Sequence, residues 1–104
     1  DLTTFIVTET MHERKKVMLM NAQAVVVLPG GAGSLDELFE ALTWRQLGLH
    51  DKPIFVLNVN GYWDPMLAMM DHIVTQGFAD ANLLGFVTMV KDVAALEAGL
   101  AAFS

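Results

Sequence analysis

The chain has 104 residues, 54% of them hydrophobic and 17% charged, with a net charge of −6 and no cysteine. That balance argues against a nucleic-acid backbone as the main partner, and the missing thiols exclude a disulfide framework or a thiolate metal site. No apolar run is long enough to span a bilayer and no signal peptide is visible, so the expectation is a cytoplasmic protein, one domain over residues 1–104. The chain begins at Asp1 without Met, and a native start upstream is expected.

Taken in chain order, residues 2–8 read as a strand centred on Phe5, Ile6 and Val7. Residues 11–21 read as a helix with Val17, Met18 and Met20 as candidate buried positions. Residues 24–28, wholly apolar, have the composition of an interior parallel strand. Helical spacing then runs from Ser34 to about Leu47, through Leu35, Leu38, Phe39 and Leu42, and Gly48 ends it. After Pro53 a third strand is expected over 54–59, followed by a loop at 60–63. Asp64 and Pro65 open a helix that Gly77 closes, the proline-first, glycine-last asymmetry of helices. A last strand at 86–90 and a helix capped by Asp92 and running to about Ala102 complete the order. Strictly alternating strands and helices predict an α/β fold: a Rossmann-like parallel sheet with right-handed crossovers and helices on both faces.

The most informative stretch is Pro29-Gly30-Gly31-Ala32-Gly33-Ser34-Leu35-Asp36-Glu37, between the second strand and its helix. Open α/β sheets bind ligands at the carboxyl ends of their strands. A glycine turn there lets backbone N–H groups approach an anion, and the helix start adds about half a positive charge. Two phosphate motifs are absent: no Lys follows Gly33 as a P-loop requires, and position 36 is Asp where a dinucleotide fingerprint has glycine. A plainer alternative stands beside the chemical one. Ser34 and Glu37 have the spacing of a capping box, and the glycines suit a tight turn. The loops at 9–11 and 58–61 are expected at the same sheet edge.

Arg14, in the run Met11-His12-Glu13-Arg14-Lys15-Lys16, opposes the dipole at a helix start. A carboxylate or phosphate partner would justify that placement, and a solvated basic cluster is the alternative. His12 reads as a cap more readily than as a base, and His50 and His72 lack companions at metal-ligand spacing. Trp44 reads as core or subunit interface, and Tyr62 and Trp63 as pocket lining or hydrophobic cover.

Met11-His12-Glu13-Arg14-Lys15 together with residues 29–37 resembles the Lonely Guy family of cytokinin-activating nucleoside 5′-monophosphate phosphoribohydrolases, many of whose bacterial members carried the label lysine decarboxylase. The family pattern is Met-His-x-Arg-Lys, then Pro-Gly-Gly-x-Gly-Thr-x-x-Glu; Ser34 replaces Thr and keeps the hydroxyl. Thr43-Trp44-Arg45-Gln46-Leu47-Gly48 and residues 57–62 are also similar to family segments. The resemblance implies hydrolysis of the N-glycosidic bond of AMP or a cytokinin nucleotide by a homodimer or higher homo-oligomer, with no cofactor and no metal. By position it makes Arg14 and Glu37 the catalytic pair, and Lys15, Gly30, Gly31, Gly33 and Ser34 the substrate-binding set. It also implies an N-terminal strand and second glycine-rich loop that these residues are expected to lack. Three rival functions are a non-catalytic carrier of a phosphorylated cofactor, similar to molybdenum cofactor carriers, a pyridoxal-phosphate decarboxylase, and a structural fragment whose only role is association. For the second, Lys15, Lys16, Lys52 and Lys91 show no Schiff-base context.

Overall fold

The computed structural model describes the backbone of residues 5–7 and all of residues 23–102. Four strands, β1 (Phe5–Val7), β2 (Ala24–Val27), β3 (Ile54–Leu57) and β4 (Val87–Val90), form one parallel sheet in the order β1-β2-β3-β4. The helices are α1 (Ala32–Gln46), α2 (Asp64–Thr75), α3 (Asn82–Gly85) and α4 (Val93–Ala101), with a 3-10 turn at Val59–Gly61. The expected α/β, Rossmann-like architecture is therefore present. The helix expected over 11–21 lies outside the described residues, as do His12, Arg14, Lys15 and the loop at 9–11.

Strand alternation divides the apolar side chains between two faces. Val25 and Val27 of β2 with Ile54 and Val56 of β3 pack against Leu38, Ala41 and Leu42 of α1 and Met66 and Met70 of α2. On the opposite face Ala24, Phe55, Leu57 and Val90 meet Ala95, Leu96 and Leu100 of α4. Every residue of β2 and β3 is buried, so these strands show no polar alternation. Each fully buried Val or Ile contributes about 1.5–3 kcal/mol relative to exposure. α4 approaches β3 closely at Gly99, where a Cβ would stand 2.7 Å from Phe55 Cε1.

The helix ends follow local chemistry. Asp92 caps α4, its carboxylate accepting the Ala95 N–H at 2.8 Å. Gly77, at φ +85°, terminates α2 as expected. Two expectations are corrected here. Asp64 is the first residue of α2 rather than its cap; Trp63 precedes it, and the Asp64 carboxylate accepts from Asn58 Nδ2 at 2.9 Å instead. The third strand stops at Leu57, because Asn58 turns the chain into the 3-10 segment. α3 had no counterpart in the sequence pattern: four residues carry no period, and its only buried side chain is Leu83.

The amino ends of the strands are tied separately from the loops above them. His50 is buried between α1 and β3, with Nε2 2.9 Å from the Ala41 carbonyl and Nδ1 accepting the Lys52 N–H at 3.0 Å. Since Nδ1 is an acceptor, the proton of the neutral ring resides on Nε2 and is donated to Ala41. Arg45 donates to the Lys52 carbonyl at 2.7 Å and lies over the Phe86 ring at 4.9 Å. Desolvation lowers the His50 pKa from 6.5, with Arg45 and Lys52 acting in the same direction; the Ala41 bond and Asp51 oppose them.

Candidate functional site

β2 delivers the chain to Leu28 at the carboxyl edge of the sheet, and Pro29 and Gly30 turn it into α1. The helix begins earlier than the capping-box spacing implies. Gly31 is the N-cap residue, with φ −108° and ψ −142°, and no side chain caps the helix. Ser34 is consequently the third helical residue and Glu37 the sixth, so Glu37 lies in the second turn. The capping-box alternative is overturned, because glycine at 31 lets the backbone enter the helix before Ser34 is reached. The first-turn N–H groups, which point along the axis toward the turn, have no intrahelical partner.

The three glycines have different reasons to be glycine. At Gly30 a Cβ would collide with Ser34 Oγ, so the turn closes onto the serine and needs the missing side chain. At Gly31 and Gly33 a Cβ would meet nothing within 4 Å, and neither has positive φ. Packing among the described residues therefore does not require glycine at these two positions.

Ser34 and Glu37 are both buried, at 7% and 5% exposure, on one flank of α1. At 1.5 Å rise per residue Glu37 lies about 4.5 Å further along the axis than Ser34, one turn beyond the glycines. A carboxylate is seldom buried so completely without a task or a partner.

The other flank of α1 borders an apolar cavity of about 500 Å³. Leu35 and Phe39 form its α1 wall; Trp63, Met66 and Met69 face them, and Gly30, Gly31, Ala32 and Tyr62 close the end at the turn. At about 100° per residue, Glu37 stands roughly 160° around the helix from both Leu35 and Phe39. The cavity and the carboxylate are thus on opposite flanks of α1.

The β3 loop meets the glycine turn from the cavity flank. Asn58 organises it by donating to Asp64 and accepting the Trp63 N–H at 2.6 Å. Asn60 at φ +53° and Gly61 at φ +71° turn the backbone between them. A Cβ at Gly61 would also lie 2.7 Å from Asp64 Oδ2. Tyr62 and Trp63 pack edge to face at 4.9 Å, and the Tyr62 hydroxyl donates to the Gly30 carbonyl. Two of the three loops expected at this edge therefore meet. Sequence reasoning read Tyr62 as lining or cover and missed this bond, which no local pattern signals across 32 residues. Arg14 and Lys15, the other expected site residues, lie outside the described segment. Among the described residues no cluster of three or more His, Cys, Asp or Glu could hold a metal.

The model of the family described as "Possible lysine decarboxylase" matches residues 1–100. The chain belongs to this family, the Lonely Guy family. It is 49% identical over 76 residues to a probable cytokinin riboside 5′-monophosphate phosphoribohydrolase of Oryza sativa subsp. japonica, a match covering 73% of this chain and 34% of that protein. A probable phosphoribohydrolase of the same name from Arabidopsis thaliana is 53% identical over 68 residues, covering 65% of this chain and 34% of the relative. The cytokinin riboside 5′-monophosphate phosphoribohydrolase of Rhodococcoides fascians is 41% identical over 92 residues, covering 88% and 46%. The chain thus spans a third to just under half the length of these Lonely Guy relatives.

Proposed function

We propose that this chain carries the phosphate cradle and the catalytic carboxylate of an enzyme that hydrolyses adenine-type nucleoside 5′-monophosphates to free base and ribose 5-phosphate. The observation that carries the reading is the uncapped start of α1: two glycines with no packing reason among the described residues, then a buried carboxylate one turn along the same helix. The names of the Lonely Guy relatives support the substrate class.

In the proposed reaction the 5′-phosphate rests against the bare backbone of Gly31 and Gly33, with the Ser34 hydroxyl as a further donor. Phosphate anchoring uses remote binding energy to orient the ribose. As the C1′–N bond breaks, its electron pair leaves with the base and C1′ becomes cation-like. Glu37 stabilises that charge and takes a proton from the attacking water, whose oxygen bonds to C1′; the departing base takes up a proton from solvent, and Glu37 returns the water's proton to solvent. Arg14 and Lys15 are proposed, on the resemblance of their motif, to complete the site around the phosphate and Glu37. The exposed apolar side chains Leu47, Leu49 and Met69 support the further reading of a homo-oligomer.

Incubation of the full-length protein with AMP and with its N6-prenylated analogue, followed by chromatography, tests the proposal. Free base and ribose 5-phosphate are expected in equal amounts. Nucleotide bound and recovered intact would instead identify a carrier.

A further inference from the structure

We propose that Tyr62 is a positioning residue of the phosphate cradle: its hydroxyl holds the Gly30 carbonyl and so fixes the Gly31 N–H in the opposite direction, away from Tyr62. This rests on the reading of residues 30–34 as an anion site.

The geometry follows from the peptide unit. No peptide bond here is cis, so the C=O of Gly30 and the N–H of Gly31 point in opposite directions from one plane. The Tyr62 hydroxyl donates to that carbonyl, and both residues border the cavity that adjoins Leu35 and Phe39. Glu37 belongs to the opposite flank of the same helix. Fixing the carbonyl toward Tyr62 therefore turns the Gly31 N–H away from the Tyr62 hydroxyl, at a residue that itself borders the cavity.

Glycine at 30 and 31 makes this control necessary. With no side chain on either residue, the plane between them rotates with little steric resistance. In the rotated state a carbonyl oxygen would face the incoming phosphate. The hydroxyl is held from a stiff support: Asn58 bonds both Asp64 and the Trp63 backbone, and the Tyr62 N–H donates to the Val59 carbonyl at 3.0 Å. Tyr62 is half exposed, so its ring is not a principal core element and loss of the hydroxyl alone leaves the fold standing.

Tyr62→Phe in the full-length protein tests the assignment, with ribose 5-phosphate and inorganic phosphate as calorimetric probes and Met69→Ala as a control that changes the cavity wall without touching the bond. Loss of one hydrogen bond that holds the cradle is expected to weaken ribose 5-phosphate binding roughly threefold to tenfold in Tyr62→Phe. Met69→Ala is expected to bind like the parent. With nucleotide substrate, KM rises in Tyr62→Phe by a similar factor while kcat stays within about twofold, as for binding shared by ground and transition states. A merely structural role would lower the folded fraction, reducing kcat and leaving KM unchanged. A second measurement uses the Gly31 amide resonance, which is expected to shift on ribose 5-phosphate addition in the parent and less in Tyr62→Phe. If the parent binds and Tyr62→Phe binds equally well, or if both variants weaken alike, the assignment to the hydroxyl is overturned and the anion site stands. If the parent binds neither probe, the anion site itself is overturned, and this inference with it.

Discussion

Three glycines that look like one motif separate into two kinds once their surroundings are known. Gly30 is required by Ser34, whose hydroxyl occupies the space of a side chain, whereas a Cβ at Gly31 or Gly33 would meet none of the described residues within 4 Å. Gly33→Ala is therefore expected to keep the fold, and to gain up to about 0.5 kcal/mol of stability from helix propensity. It is also expected to weaken ribose 5-phosphate binding at least roughly tenfold, because a methyl group would stand where the backbone must approach an anion. Thermal melting together with calorimetry checks both halves, and unchanged affinity would remove Gly33 from the site. His50 makes a second prediction. Its folded pKa lies below the unfolded value of 6.5, so the unfolded chain takes up a proton first as pH falls. Its contribution is complete above about pH 6.5 and is lost as pH falls toward the lowered folded value. Denaturant titrations between pH 7.5 and 5 are expected to show this loss, and His50→Gln to flatten it; parallel curves would contradict the assignment.

At the scale of elements, contact with the sheet decides what propensity leaves open. α4 rests on β3 through Gly99, with Phe55 where a Cβ would go. Gly99→Ala improves helix propensity, yet it is expected to destabilise by about 1–3 kcal/mol, since the overpacking term exceeds the propensity gain. A rise in denaturation midpoint would show that the helix moves aside freely. The strands and the longer helices were legible because β2 and β3 are continuous apolar runs and α1 and α2 carry helical periodicity. The start of α1 was misplaced by a local signal: Ser34 and Glu37 have capping-box spacing, but glycine at 31 admits an earlier entry. Asp64 was read as a cap for the same kind of reason, and its carboxylate is engaged by Asn58 instead. Glycine turn, serine and acid were readable as a candidate site from order alone. Which flank of α1 each residue takes, and the bond from Tyr62 to Gly30, depend on how α1 and the β3 loop pack, and single-chain spacing does not encode that.

Over the whole molecule, the sheet edge brings a bare glycine turn, a buried carboxylate and an apolar cavity together while keeping the last two on opposite flanks of α1. Longer Lonely Guy relatives have more chain with which to build a site; the part proposed for these residues is a phosphate cradle and the Glu37 carboxylate. Glu37→Gln preserves size and leaves the cradle untouched, so it separates binding from chemistry. The most direct measurement is the rate of free-base release from AMP by the full-length protein and by Glu37→Gln, with ribose 5-phosphate affinity measured on both. The expected result is a loss on the order of a hundredfold or more in rate with affinity unchanged. Base release by Glu37→Gln at the parent rate would contradict the role assigned to this carboxylate.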